Sequence, residues 1–312
     1  MRSFRRLSFT ALSSVYILIF VGGLVRVSGA GLGCPDWPRC FGRWIPPVNR
    51  SQLPADIDPV LFNFTLAWIE YINRMIGMFV GLLVLVTAIV AIKRFRSIPV
   101  IMYSAAGAAL LTGFQGWYGS LVVGQKLDPM TVSVHMLIAL VIACMLIFTT
   151  QNAYYREFPE TEKNATYPKN AVGWITGLWT ASVVQVVLGS YVRAGAESAR
   201  DSAPLLPGAQ ILDRVGAVED LHWLFGVIMF IATWQIGSMI LKQSRPSRVA
   251  RQAVWAMMFL VTMQLGGGIV LVTTGLLPMI QLYHLWFACL YFGTVTVTVI
   301  ALRKGTGEND ET

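Results

Sequence analysis

The chain has 312 residues, of which 55% are hydrophobic and 13% charged, with a mean hydropathy of +0.61 and a formal charge of +8. This balance excludes an ordinary soluble globular protein, whose charged fraction is about a quarter, and places the chain in a bilayer. The basic excess does not point to nucleic acid, because Lys and Arg alternate between loops instead of gathering on one segment.

A spanning helix needs about 20 mostly apolar residues. Eight stretches qualify, near residues 9–27, 66–92, 98–124, 130–150, 171–193, 218–241, 251–273 and 279–302. The first follows a basic start, Arg2, Arg5 and Arg6, but a cleaved signal peptide is not expected, because Arg26 ends the apolar run and the same helix recurs later. Fifteen Lys and Arg residues flank the spans on one side: Arg2, Arg5 and Arg6, then Lys93, Arg94 and Arg96, Arg156, Lys163 and Lys169, Lys242, Arg245, Arg248 and Arg251, and Arg303 with Lys304. The other side holds eight: Arg26, Arg39, Arg43, Arg50, Lys126, Arg193, Arg200 and Arg214. The excess predicts that both termini are cytoplasmic, in agreement with an even number of spans.

A constant offset of 149 residues aligns the second half on the first. Gln115, Pro129, Met130, His135 and Ala139 correspond to Gln264, Pro278, Met279, His284 and Ala288; the same offset maps Glu70 to Glu219, Gly77 to Gly226 and Asn73 to His222. Spans one and five match at an offset of 167, through Val21-Gly-Gly-Leu-Val-Arg26 and Val187-Leu-Gly-Ser-Tyr-Val-Arg193, so the first outer loop is longer by 18 residues. The expected fold is an all-α integral membrane protein of eight transmembrane helices, arranged as two parallel-repeat four-helix bundles covering residues 1–155 and 165–312.

All three histidines of the chain lie near the starts of even-numbered spans, roughly 6 to 10 Å below the outer helix ends at 1.5 Å per residue. Spans six and eight run in the same direction, so His222 and His284 can oppose each other as a bis-histidine haem site. The competing reading is packing through hydrogen bonds to neighbouring helices. Two histidines are too few for a closed zinc site. Glu219, at i−3 from His222, can orient that imidazole or sit in the outer polar zone.

The first half carries Glu70, Tyr71, Ile72, Asn73 and Arg74 where the second carries Glu219 to Trp223, so only His135 remains there as an obvious iron ligand. A site with one strong ligand can admit oxygen or substrate, whereas a six-coordinate iron suits electron transfer. Glu70 is a costly carboxylate within a span, suited to proton delivery or to stabilising a charged intermediate, or else it pairs with Arg74 at i+4. Arg26 and Arg193 at the outer helix ends are candidates for holding haem propionates, or are interface anchors; Arg74 is counted with them as a cofactor-binding cation. The loop after the first span contains Cys34 and Cys40 in an oxidising compartment, either as a structural disulfide or as a redox pair relaying electrons. Cys144 and Cys289 read as packing residues.

These residues carry a family resemblance. The segment from Gly23 to Arg26, the run from Gly31 through Cys34, Pro35, Asp36, Trp37, Pro38, Arg39 and Cys40 to Gly42, Ile45 to Pro47, Glu70, Tyr71, Arg74, Val134, His135 and His284 resemble the haem A synthase family over nearly the whole chain. The resemblance implies oxidation of a methyl group of haem O to a formyl group with O2, supplying haem A to cytochrome oxidase. It implies haem B as cofactor on His222 and His284, haem O as substrate at His135, Glu70 as the functional carboxylate and Cys34 with Cys40 as the outer-loop pair. Implied partners are the haem O-producing farnesyltransferase, an electron donor and membrane lipid; a homo-oligomer is compatible, and the location is the bacterial inner membrane. One departure stands out: the family usually has histidine where this chain has Asn73. Asn73 either serves at the catalytic site in its place, or marks a membrane b-type cytochrome without the hydroxylase activity. A transporter or assembly factor is a third reading, against which the Cys34 to Cys40 signature speaks.

Overall fold

The computed structural model describes residues 1–55, 57–243 and 245–306. Nine α-helices are described: α1 (Arg2–Val27), α2 (Phe64–Arg94), α3 (Pro99–Gly124), α4 (Pro129–Glu157), α5 (Ala171–Ser202), α6 (Gly208–Asp213), α7 (Ala217–Gln243), α8 (Arg248–Thr274) and α9 (Pro278–Gly305). No strand occurs among the described residues. Of the eight long helices, all except α3 are long and apolar enough to cross a membrane. Helix α3 has the length, 26 residues, but Thr112, Gln115, Ser120 and five glycines dilute its apolar content. The protein is an all-α, multi-pass membrane protein.

Local chemistry sets the helix starts. Proline stands at the first helical position of α3, α4 and α9, where its missing N–H is no loss. The Asn63 and Ser247 side chains accept from the Leu66 and Ala250 amides at the starts of α2 and α8. The turn closing α3 puts Lys126 and Leu127 at φ 53° and 63°; the turn closing α8 puts Gly275 and Leu276 at 82° and 66°. These pairs are 149 residues apart, so the local turn geometry recurs in the sequence register. Helix α5 runs to Ser202, nine residues beyond the expected apolar stretch, because residues 194–202 are rich in helix-forming Ala, Glu and Arg. Polar helix formers extend a span past the bilayer without an apolar signal.

The described chain forms two compact units, one of Arg6–Leu146 and one of Met1–Arg5 with the chain from Ile147 onward. In the first, Ala11 and Val15 of α1, Val80 and Val84 of α2, Ala108 of α3, and Ile142, Ala143 and Leu146 of α4 make a buried core. Small residues there let the helices approach closely. Met78, Phe79, Leu82, Leu85, Val86 and Ile89 are exposed along one face of α2, as a lipid-facing stripe requires.

In the second unit α9 is central, with 56% of its apolar window buried against 22% for α5, α7 and α8. Its polar groups are satisfied within the helices: Thr233 Oγ1 and Tyr291 Oη share a 2.7 Å bond, and Trp179 Nε1 donates to Thr296 Oγ1 at 3.0 Å. The connection from α4 to α5 is fastened by buried Glu162, which accepts from Tyr155 Oη (3.1 Å), Tyr167 Oη (2.8 Å) and Ser247 Oγ (2.7 Å). Arg5 Nε donates to Glu157 Oε2 at 2.8 Å in the same unit.

Candidate functional site

Two arrangements hold the residues singled out in the sequence. The first is the outer loop between α1 and α2. Cys34 and Cys40 form a disulfide, and with Phe41, Phe62 and Ala67 they make a small core of their own. Asp36 accepts from the Phe41 and Gly42 amides at 2.6 and 2.9 Å, which folds the segment back on itself. Gly33 lies so close to the Leu66 carbonyl that a Cβ would collide with it, so the loop can press on α2 only with glycine there.

Glu70 and Arg74 secure that loop. The Cys34 amide donates to Glu70 Oε2 at 2.7 Å, and Glu70 forms an ion pair with Arg74. Arg74 also donates to the carbonyls of Asp36 (2.8 Å), Arg39 (2.9 Å) and Cys34 (3.4 Å). The Glu70 to Arg74 ion pair is therefore present, and the buried acid is also bonded to the disulfide loop at Cys34 itself. Its partners are Cys34 of the loop and Arg74 of its own helix, not His135. Arg74, counted among the cofactor-binding cations, is committed to loop carbonyls and Glu70. Arg193 bonds Glu197 one turn along its own helix at 2.8 Å, and Arg26 sits partly buried in the last turn of α1.

The second arrangement concerns the histidines. His222 is five residues into α7 and His284 six into α9, and their ring centroids are 6.5 Å apart with planes at 71°. One metal ion bound by two opposed imidazoles, with bonds of about 2 Å, sets centroids roughly 6 Å apart. The Nδ1 atoms of both are buried without a hydrogen-bond partner. Among the described residues no group of three or more His, Cys, Asp or Glu converges, so the pair suits an iron whose remaining donors come from a porphyrin. In this sense the residues fit haem. His135 is six residues into α4, likewise with an unpartnered Nδ1, and stacks on Tyr118 at 6.1 Å and 24°.

Each histidine is held by one recurring device that the sequence reading did not isolate. Gln115 Nε2 donates to the His135 carbonyl at 2.7 Å, Gln185 to that of His222 at 3.0 Å and Gln264 to that of His284 at 2.5 Å. Four residues after each glutamine, on the same helix, stands a glycine against the imidazole: a Cβ at Gly119, Gly189 or Gly268 would lie 3.7, 2.9 or 3.7 Å from Cε1 of His135, His222 or His284. The glutamine fixes the backbone that carries the ring; the glycine lies against the ring, and at Gly189 a Cβ would be too close for it, whereas at Gly119 and Gly268 it would make ordinary contact. The pattern Gln-x3-Gly, present three times, is the signal that reveals it.

Comparison with known proteins agrees with the extent of this architecture. The family described as cytochrome oxidase assembly protein matches residues 5–296. The haem A synthase of Shouchella clausii is 24% identical over 278 residues, covering 88% of each chain. That of Exiguobacterium is 24% identical over 97% of this chain and 94% of its own. The haem A synthase of Shewanella oneidensis reaches 35% identity over a shorter stretch, 39% of this chain and 37% of its own. With nearly its whole length matched, the chain belongs to the cytochrome oxidase assembly protein family, the family of the haem A synthases.

Proposed function

We propose that this protein is a haem A synthase of the bacterial inner membrane, oxidising a methyl group of haem O to a formyl group with O2 for cytochrome oxidase assembly. The observation that carries the reading is the His222 and His284 pair, 6.5 Å apart between facing helices, in a chain whose relatives bear that name. Helix α3 completes eight spans, which with the loop charges puts both termini in the cytoplasm. Residues 1–155 and 165–312 are parallel repeats, the first holding the substrate and the second the cofactor.

His222 and His284 would hold haem B, which would supply electron transfer, and His135 would hold the substrate haem O. The chain's own groups do the rest. Gln185 and Gln264 fix the two cofactor-binding histidines, and Gln115 fixes His135. Glu70 and Arg74 hold the Cys34 to Cys40 loop on α2, and Glu70 is the carboxylate placed to hold or pass a proton beside it. Arg26, in the last turn of α1, and Arg193, nine residues before the end of α5, are the cations for propionates.

The deciding experiment is expression in a host that makes haem O and lacks its own synthase, followed by mass spectrometry of the extracted haems. Haem A or its hydroxylated precursor beside haem B establishes the enzyme. Asn73 favours a second reading, a b-type cytochrome without hydroxylase activity, for which haem B alone would be recovered while haem O is present.

A further inference from the structure

Three corners of the two repeats share the glutamine, glycine and histidine device. The fourth does not. In register, Asn73 stands where His222 stands, Leu18 where Gln185 stands and Gly22 where Gly189 stands. The structure carries the same correspondence. A Cβ at Gly226 would meet Gln185 Nε2 at 3.1 Å; at Gly77, its counterpart, it would meet the Leu18 methyls at 4.0 Å. Leu18 thus takes the place of the anchoring glutamine and has no group to donate.

Ligand and anchor are therefore both replaced, yet the glycine that makes room for a ring is kept. At Gly189 a Cβ would lie 2.9 Å from the His222 ring, whereas at Gly22 it would meet nothing within 4 Å. The Asn73 Oδ1 at this corner is buried without a hydrogen-bond partner, as are the Nδ1 atoms of the three histidines. An amide oxygen with unused hydrogen-bonding capacity, at a corner whose glycine has open space at its Cβ, can receive a small hydrogen-bond donor.

The geometry points to an open coordination corner: iron held by His135 takes a small exogenous ligand on the Asn73 side, in the space beside Gly22, with the Asn73 amide bonded to it. The ligand class is a small neutral lone-pair donor that also carries an N–H or O–H for the unpartnered Asn73 Oδ1, water to imidazole in size; carbon monoxide probes only the open position. This inference rests on the reading that His135 holds a haem iron, and deepens it by saying which side is free. In the second half His222 and His284 would both hold the iron, so ligand uptake there is not expected.

The test uses the full-length protein in detergent, loaded to saturation with iron protoporphyrin IX. The reduced form is titrated with carbon monoxide and the ferric form with imidazole, both followed by absorption spectra. Two haems per chain are expected, one of which binds carbon monoxide and turns from high to low spin with imidazole. In the double variant L18Q/N73H the carbon monoxide signal should fall at least tenfold, with both haems low spin. Should that variant not fold, Asn73→Leu, which fills the corner, should weaken both ligands. Two haems with neither binding carbon monoxide, or uptake unchanged in the folded variants, would overturn the open corner while leaving the haem sites standing. One haem per chain would overturn the His135 site itself, and the corner with it.

Discussion

The Cys34 amide lies 2.7 Å from the Glu70 carboxylate, so one buried acid ties the disulfide loop to the second helix. Replacing Glu70 with Ala removes that acceptor and strands the Arg74 charge. Breaking a buried pair costs about 3–5 kcal/mol, and a loss of about 2–3 kcal/mol is expected here because three carbonyls still accept from Arg74. Haem A formation should be abolished while haem B in the second half is retained. Glu70→Gln keeps an acceptor for Cys34 without the charge, and should retain more stability than Ala. Thermal unfolding with mass spectrometry of extracted haems checks both; haem A output from Glu70→Ala would remove Glu70 from the chemistry.

Arg74 spreads its guanidinium over Glu70 and three loop carbonyls, which a lysine ammonium cannot match in direction. Arg74→Lys should loosen the loop without abolishing the fold. The exposed Arg39 and Arg43 make this measurable. Trypsin should cut there several-fold faster in the variant, and an unchanged cleavage rate would show that the disulfide alone holds the segment.

The second-half ligands can be perturbed without removing either one. A methyl group at Gly189 would fall 2.9 Å from Cε1 of His222, too close for the ring to keep its place. Gly189→Ala should therefore shift or broaden the low-spin haem signal, and His222→Ala should eliminate it. Gly173→Ala, on the same helix with nothing within 4 Å of its Cβ, is the control expected to leave the spectrum as it is. An intact low-spin spectrum in His222→Ala would sink the ligand assignment.

The apolar stretches, the 149-residue register and the depth of the three histidines were legible because each is a property of spacing. Residues 98–124 were legible as a long helix, but its composition falls short of that of the other seven, so an eighth crossing rests on length alone. Helix α6 and the extension of α5 to Ser202 were not legible, since polar helix formers outside the bilayer leave no apolar period. Gln115 and Gln264 were visible as matches, but their role was not: a side chain that bonds a backbone carbonyl on another helix leaves no trace in composition. The same holds for Glu70, whose partner Cys34 is 36 residues away on a loop.

Glu162 gives a prediction that separates fold from chemistry. It lies in the connection between α4 and α5 and accepts three hydroxyl bonds, from Tyr155, Tyr167 and Ser247, none of which belongs to the haem arrangement. At about 1 kcal/mol per bond, Glu162→Ala should cost about 3 kcal/mol while leaving haem content per folded chain unchanged. The same cluster sets a pH dependence. Burial pushes the Tyr167 phenol above its ordinary value, so the folded protein keeps a proton that the unfolded chain releases above about pH 10. Stability from this group is complete below that pH and declines as the pH rises beyond it. Thermal unfolding at about pH 8 and pH 11 should show a larger drop for the native protein than for Tyr167→Phe; equal drops would mean that Tyr167 does not govern alkaline stability.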